Sequence, residues 1–342
     1  MYKCSISLEN FRIFGFLDLK IPETKGVIIK GGNGSGKTSL LEAIFYLFYG
    51  VSFRDKDVYS LINHTSSYLK VSLRIGEFDF LAFLDREGRR KITFNGEDVP
   101  RNKLREYFIP IYSMGKDNLL DSAYSDRRRI LDKLASLYID GYRKHISAYE
   151  RLVKNKKEAI LKGDSSVLKA LNEKLYELYS IILNGRKKVV ERLSIISHNL
   201  GYKELYFEFR PSLSSFKELE EATELEVKEG RLLKGASYDI LETTLEGRDL
   251  RKYFSHGEKQ YLWYILLFEF IRSYSVEQDR GVIMLMDEAF SVLDEERTRK
   301  LVEHVLNGKD RVLYFFTSQR KLPLDIPFVE LGSEYGRVKA NS

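Results

Sequence analysis

Apolar and polar positions alternate with strand character over the first part of the chain, and the spacing lengthens to three and four from about residue 122. ISLENFRIF (6–14) has strand character, and the apolar strand VIIK (27–30) runs into GGNGSGKT (31–38). SLLEAIFYLFYG then has helical periodicity and stops at Gly50. YLKVSLRI, FDFLAFLD and KITFNGEDV follow between residues 68 and 99, separated by turns at Gly76, Glu87-Gly88 and Asn95-Gly96. These segments predict an antiparallel meander attached to an α/β core.

Beyond residue 122 the apolar positions step as on a helix. Leu168, Leu171, Leu175, Leu178 and Ile182 form one run, continued by Val189, Leu193, Ile196 and Leu200. Ile130, Leu134 and Leu137, then Ile146, Tyr149 and Leu152, carry the upstream half, with KGDSS (162–166) as the break. Two helices joined there predict an antiparallel hairpin about 50 Å long at 1.5 Å per residue. Strand signals return at LYFEFRP, and the chain ends in a second αβ half through FSHGEKQ, VIMLMDEAF and VLYFFTS. The expected organisation is a split α/β head, 1–121 and 202–342, interrupted by a helical arm, 122–201.

Charge sharpens this picture. The chain of 342 residues carries a formal net charge of +6. Residues 126–200 hold about 17 Lys and Arg against about 9 Asp and Glu, which is about +8 for that segment. A basic excess confined to the arm fits either a solvated helical face or an electrostatic footprint for nucleic acid. With one cysteine, Cys4, no intramolecular disulfide forms, which fits a reducing compartment. The longest apolar run, 261–271, is too short to span a bilayer. No charged leader with an apolar core opens the chain, so a cytoplasmic protein is expected.

The chemistry lies in a few short stretches. GGNGSGKT fits G-x-x-x-x-G-K-[ST] between a strand and a helix, the context that gives the pattern meaning. Backbone N–H groups of Gly31, Gly32, Asn33, Gly34, Ser35 and Gly36 are expected to cradle the phosphates of ATP. Lys37 would reach the β- and γ-phosphates, and Thr38 would ligate Mg²⁺. VIMLM is a buried-strand run with Asp287 and Glu288 at its end, where α/β sheets place ligands. Asp287 suits the outer coordination of Mg²⁺, and Glu288 the activation of the attacking water. Two guanine-reading decoys fail on context: Asp85-Arg86-Glu87-Gly88 sits in a hairpin turn, and Asn155-Lys156-Lys157-Glu158 lies mid-helix.

With FSHGEKQ and SVLDEER added, the set resembles the ABC-type ATPase heads. The resemblance implies a mixed sheet plus a β meander in the head. It also implies that Ser255, Gly257 and the following helix close the nucleotide site of a second copy, with Asp294 in the neighbouring loop. An ATP-dependent homodimer is then expected. Within that superfamily the chain resembles the RecF family through LENFRIF, GGNGSGKTSLLEAIFYLFYGVSFR, RRRILD in the arm, LEGRDLRKYFSHGEKQ and MDEAFSVLDEER. It departs where the family has G-P-H-R-D-D, keeping only Gly235 and Asp239 in GASYDIL, and at the switch histidine, where Thr317-Ser318 stand. His256 occupies a variable signature position and is expected at the surface.

The resemblance implies a weak, DNA-stimulated ATPase of recombinational repair and the damage response. Double-stranded DNA and single-strand/double-strand gap junctions are its expected targets, and RecR and RecO its expected partners. A phage-defence effector and a transporter's nucleotide-binding subunit are the alternative readings. Arg127, Arg128 and Arg129 would crowd the first turn of a helix capped by Ser125 or Asp126, where the dipole disfavours cations. Either local carboxylates or DNA phosphates would compensate them. Arg54 shares that ambiguity, with ATP phosphate as a third option.

Overall fold

The computed structural model describes residues 2–308, 310–319, 327–332 and 338–340. They fall into two compact units, Met1–Lys116 with Ile271–Ser342, and Asp117–Phe270.

The first unit opens with β1 (Tyr2–Phe11), β2 (Phe14–Thr24) and β3 (Gly26–Lys30), followed by α1 (Lys37–Tyr49). Helix α1 ends at Gly50, whose left-handed backbone lets its N–H return to the Tyr46 carbonyl. The meander follows as β4 (Tyr68–Ile75), β5 (Phe78–Asp85), β6 (Arg90–Phe94) and β7 (Glu97–Asp98). With β1 and β2 it makes a six-stranded sheet ordered β2-β1-β4-β5-β6-β7. Asp85 does close the β5–β6 turn, its carboxylate accepting from the Arg89 N–H at 2.9 Å. The short helix α2 (Arg101–Tyr107) and strand β8 (Phe108–Met114) lead out of this half.

The second unit begins with three helices, α3 (Tyr124–Tyr138), α4 (Tyr142–Lys162) and α5 (Ser165–Asn199). Helices α4 and α5 form the expected antiparallel hairpin, and the 35 residues of α5 span about 52 Å. The upstream half is two helices rather than one. Asp140-Gly141 interrupts it, with Gly141 at φ 72°, a backbone that starts α4 on a new axis. The expected capping of α3 also changes: the N-cap is Ala123, which places Asp126 in the first turn and the three arginines beyond it. The dipole therefore meets an acid first, and the crowding of cations does not arise.

Strand β9 (Leu205–Arg210), helix α6 (Phe216–Glu229), strands β10 (Ile240–Leu245) and β11 (Arg248–Asp249), and the short helix α7 (Leu250–Tyr253) complete this unit up to α8 (His256–Glu277). A buried polar hub joins the helices to the segment 235–241. Asp239, wholly buried, accepts from the Tyr179 hydroxyl, the Ser212 N–H and Arg186 Nη1, each at 2.8 Å. Arg186 also grips Asp132 through two 2.8 Å bonds. Asp239, one of two residues kept from G-P-H-R-D-D, is thus a ligand for the fold.

Helix α8 returns the chain to the first unit, where β12 (Gly281–Asp287), α9 (Glu295–Leu306), β13 (Val312–Ser318), β14 (Phe328–Leu331) and β15 (Val338–Ala340) follow. Its second sheet is ordered β15-β14-β3-β13-β12-β8, parallel throughout except for the β14–β15 pair. Every residue of β12 and β13 is buried, which explains their uninterrupted apolar sequence. Ile283, Leu285, Leu313 and Phe315 join one core with α1 and the meander. That core fixes the ends of β3, β12 and β13 side by side. No helix among the described residues is long and apolar enough to cross a membrane.

Candidate nucleotide site

The phosphate loop is built where only small residues fit. Gly31 has φ 153°, and a Cβ there would lie 2.4 Å from Ser35 Oγ and 2.7 Å from the Leu331 carbonyl oxygen. Ser35 Oγ is buried and has no hydrogen-bond partner among the described residues. A cradle closed to side chains with an uncommitted buried hydroxyl fits a polyanion. Lys37 Nζ donates to the Gly31 and Gly32 carbonyls at 2.7 and 2.8 Å, which holds its ammonium over the loop. Burial pulls its pKa below that of an ordinary lysine, opposed by Asp287 and Glu288.

The strand ends supply the rest. Thr38 donates to Asp287 Oδ2 at 2.9 Å, and Thr317 donates to Asp287 Oδ1 at 2.6 Å. The same Thr317 oxygen accepts from the Glu288 N–H at 2.7 Å. Glu288 has φ 55°, a left-handed backbone that costs a non-glycine residue and is held here by its neighbours. Gly115 supports it closely, because a Cβ there would stand 2.3 Å from the Glu288 carbonyl oxygen. Gln319 Nε2 approaches Glu288 Oε1 at 3.3 Å. A cleft of about 480 Å³ opens onto Lys37, Thr38, Asp287, Glu288, Gln319 and Arg54, walled by Ile13, Phe53 and Tyr112.

Sequence reasoning noted Thr317 and Ser318 only as the absence of a histidine. Thr317 is wholly buried and ties Asp287 to Glu288, a role signalled by a hydroxyl ending an apolar strand. Glu42 was also missed. It is buried in α1, takes two 2.9 Å bonds from Arg12, and has Arg54 Nη1 at 3.6 Å. Since Arg12 already satisfies Glu42, Arg54 is loosely held at the mouth of the cleft. Asp294 caps α9, accepting from the Arg297 N–H at 2.7 Å.

Ser255 and Gly257 lie in the second unit. Ser255 caps α8 in a reciprocal box: its Oγ and N–H both donate to Glu258 Oε2, at 2.7 and 2.8 Å, and the Glu258 N–H returns to Ser255 Oγ at 3.3 Å. Gly257 occupies the first turn of that helix. His256 is half-exposed and has a partner, its Nδ1 lying 2.6 Å from Asp121 Oδ2. Burial raises the Asp121 pKa, but Lys259 and His256 outweigh it and hold the carboxyl below its usual range.

The arginine cluster divides. Arg127 is wholly buried and donates to the carbonyls of Ser122, Leu120 and Leu241. Burial, helped by Arg251, pulls its pKa down to about 10, still cationic at neutral pH. Its compensation is backbone carbonyl, neither carboxylate nor DNA, and that withdraws it from the candidate DNA contacts. Arg128 donates to the Asp239 carbonyl at 2.8 Å, and Arg129 remains exposed beside Asp117 and Asp126.

A family model described as an AAA domain matches residues 5–262. The chain belongs to the AAA domain family, as a divergent member of RecF type. It is 26% identical over 334 residues to the DNA replication and repair protein RecF of Desulforamulus reducens, covering 88% of each chain. The RecF protein of Rickettsia rickettsii (strain Sheila Smith) is 27% identical over 345 residues, covering 92% of this chain and 93% of the relative. A solved structure of the recombination mediator protein RecF superposes with a TM-score of 0.79 at 21% identity, over 100% of this chain and 98% of the other. An Smc head bound to the C-winged helix domain of ScpA gives 0.55 at 14% identity, over 98% and 96%. Both share the fold, that of an ABC-type ATPase head.

These groups can bind a nucleoside triphosphate and set up its hydrolysis. The loop N–H groups and Lys37 are the groups that could take the phosphates. Thr38 and Asp287 are the residues that would hold Mg²⁺, which when bound offsets phosphate charge. Glu288, fixed through its own N–H, has a carboxylate that could accept the proton of an attacking water.

Proposed function

We propose that the chain is a RecF-like, ATP-dependent DNA-binding protein of recombinational repair. The observation that carries the ATPase part is the hydrogen-bonded set Thr38–Asp287–Thr317–Glu288 beside Lys37. The repair role is supported by the RecF names of the curated relatives. ATP and Mg²⁺ bind at the phosphate loop, hydrolysis is slow, and DNA stimulates it. ATP holds two copies together, each lending Ser255 and the α8 N-terminus to its partner's γ-phosphate. Arg54, loosely paired with Glu42, adds a cation on the phosphate side. Duplex DNA and gap junctions are the targets, met through backbone phosphates by Arg128, Arg129 and the lysines of the arm, without base readout. RecR and RecO assist in loading recombinase, and the protein works in the cytoplasm.

Mixing tests the shared site. Lys37→Ala and Ser255→Arg chains, each without ATPase alone, are expected to recover part of it together. No recovery would count against reciprocal closure, while residual activity in Lys37→Ala alone would count against the assigned loop.

A further inference from the structure

A cavity of the second unit lies in the arm, where α3, α4 and α5 meet the segment at 236–237. It holds about 580 Å³. Its floor is apolar: Ile146, Val153 and Ile182 line it, and the Tyr149 hydroxyl accepts from the Ala236 N–H at 2.9 Å. Arg186 reaches the lining with its guanidinium already bound to Asp132, Asp239 and the Ala236 carbonyl. Nothing polar in the floor is left asking for an anion.

The rim is different. Arg128 and Arg129 stand on α3, and Lys154 and Lys157 one turn apart on α4. Glu150 is the acid at the rim, since Asp132 is committed to Arg186. Both lysines are exposed, and among the described residues neither has an ion-pair partner.

We propose that this groove docks an acidic peptide segment of a partner protein, one that inserts an apolar side chain between flanking carboxylates. Charge complementarity at the rim and an apolar floor below it select that chemistry. A cavity of this size takes a few side chains, whereas duplex DNA presents a broad ridge of phosphates. Single strands bind through exposed aromatic platforms as well as cations. The one aromatic residue of the lining, Tyr149, is buried with its hydroxyl engaged. The proposal uses no residue of the nucleotide site, and at this groove the peptide competes with the DNA phosphates that the proposed function gives to Arg128, Arg129 and the arm lysines.

The experiment is fluorescence anisotropy on the full chain with a labelled twelve-residue peptide carrying Asp and Glu around a Leu-Phe pair. The controls are a peptide of equal charge with Gly for Leu and Phe, and a labelled oligothymidine. Saturable binding of the first peptide, about tenfold tighter than the Gly control, is expected. Lys154→Glu/Lys157→Glu should weaken it about tenfold and leave ATP binding unchanged. Val153→Glu should weaken it too, with circular dichroism checking the fold. No binding, equal binding of both peptides, insensitivity to the double reversal, or displacement by oligothymidine at lower concentration than by unlabelled peptide would each overturn the proposal.

Discussion

Thr317 donates to Asp287 Oδ1 at 2.6 Å while its oxygen accepts the Glu288 N–H at 2.7 Å. One buried hydroxyl thus orients the Asp287 carboxylate and the backbone of Glu288. Thr317→Val keeps the shape and removes both bonds. Turnover is expected to fall about tenfold to a hundredfold, from mispositioning alone. ATP affinity, measured by titration calorimetry, should change little, because Lys37 and the loop are untouched. A loss of affinity equal to the loss of turnover would assign Thr317 to binding instead.

The nucleotide loop and the acidic strand end were legible in sequence because each imposes local demands. Glycines are forced by close backbone approach, and an unbroken apolar run is forced by burial on both faces. The arm was less legible. Ile130, Leu134 and Leu137 and then Ile146, Tyr149 and Leu152 read as one helical half, although a left-handed glycine breaks the helix between them. The charge count over 126–200 does not separate Arg127, Lys156 and Arg186 from the cations around them, yet all three are buried. Each has a partner remote in sequence, Leu241 for Arg127, Glu226 for Lys156 and Asp132 and Asp239 for Arg186, which no local pattern reveals.

Lys156 shows the cost of such an arrangement. Its ammonium lies 2.8 Å from Glu226, and both are buried in the second unit. Burial lowers the Lys156 pKa despite the pull of Glu226. Lys156→Met strands a buried carboxylate and should cost about 3–5 kcal/mol in denaturant unfolding. Lys156→Met/Glu226→Gln removes the charge and keeps an acceptor for the Leu233 N–H, which Glu226 Oε1 takes at 2.8 Å. It should regain most of that loss. A double variant no better than the single would show that the pair's charge is not what matters.

Acid should loosen the start of α6. Lys234, with Ser214, holds the Glu218 pKa down to about 2 from an ordinary 4.5. A depressed carboxyl stabilises above its unfolded value and loses that contribution as pH falls through the folded one. Amide exchange at 216–220 should therefore accelerate between about pH 4.5 and 2. Glu218→Gln should flatten that profile. The contribution is small, because the pair is partly exposed and screened.

Ser255 and Glu258 cap α8 reciprocally, so the signature serine already has a structural duty. Ser255→Ala should lower stability by about 1 kcal/mol. ATPase should drop far more than that if the serine also meets a partner's phosphate. Chemical denaturation and phosphate release on one preparation separate the two. Losses in simple proportion would leave Ser255 as a cap alone.

The central claim is that one chain holds half of each working site. Light scattering on Glu288→Gln, which retains the loop and slows hydrolysis, addresses it directly. With Mg-ATP and duplex DNA the protein should run at twice the mass found with ADP. Adding Ser255→Arg should return it to monomer. A monomer under saturating Mg-ATP and duplex would contradict the account.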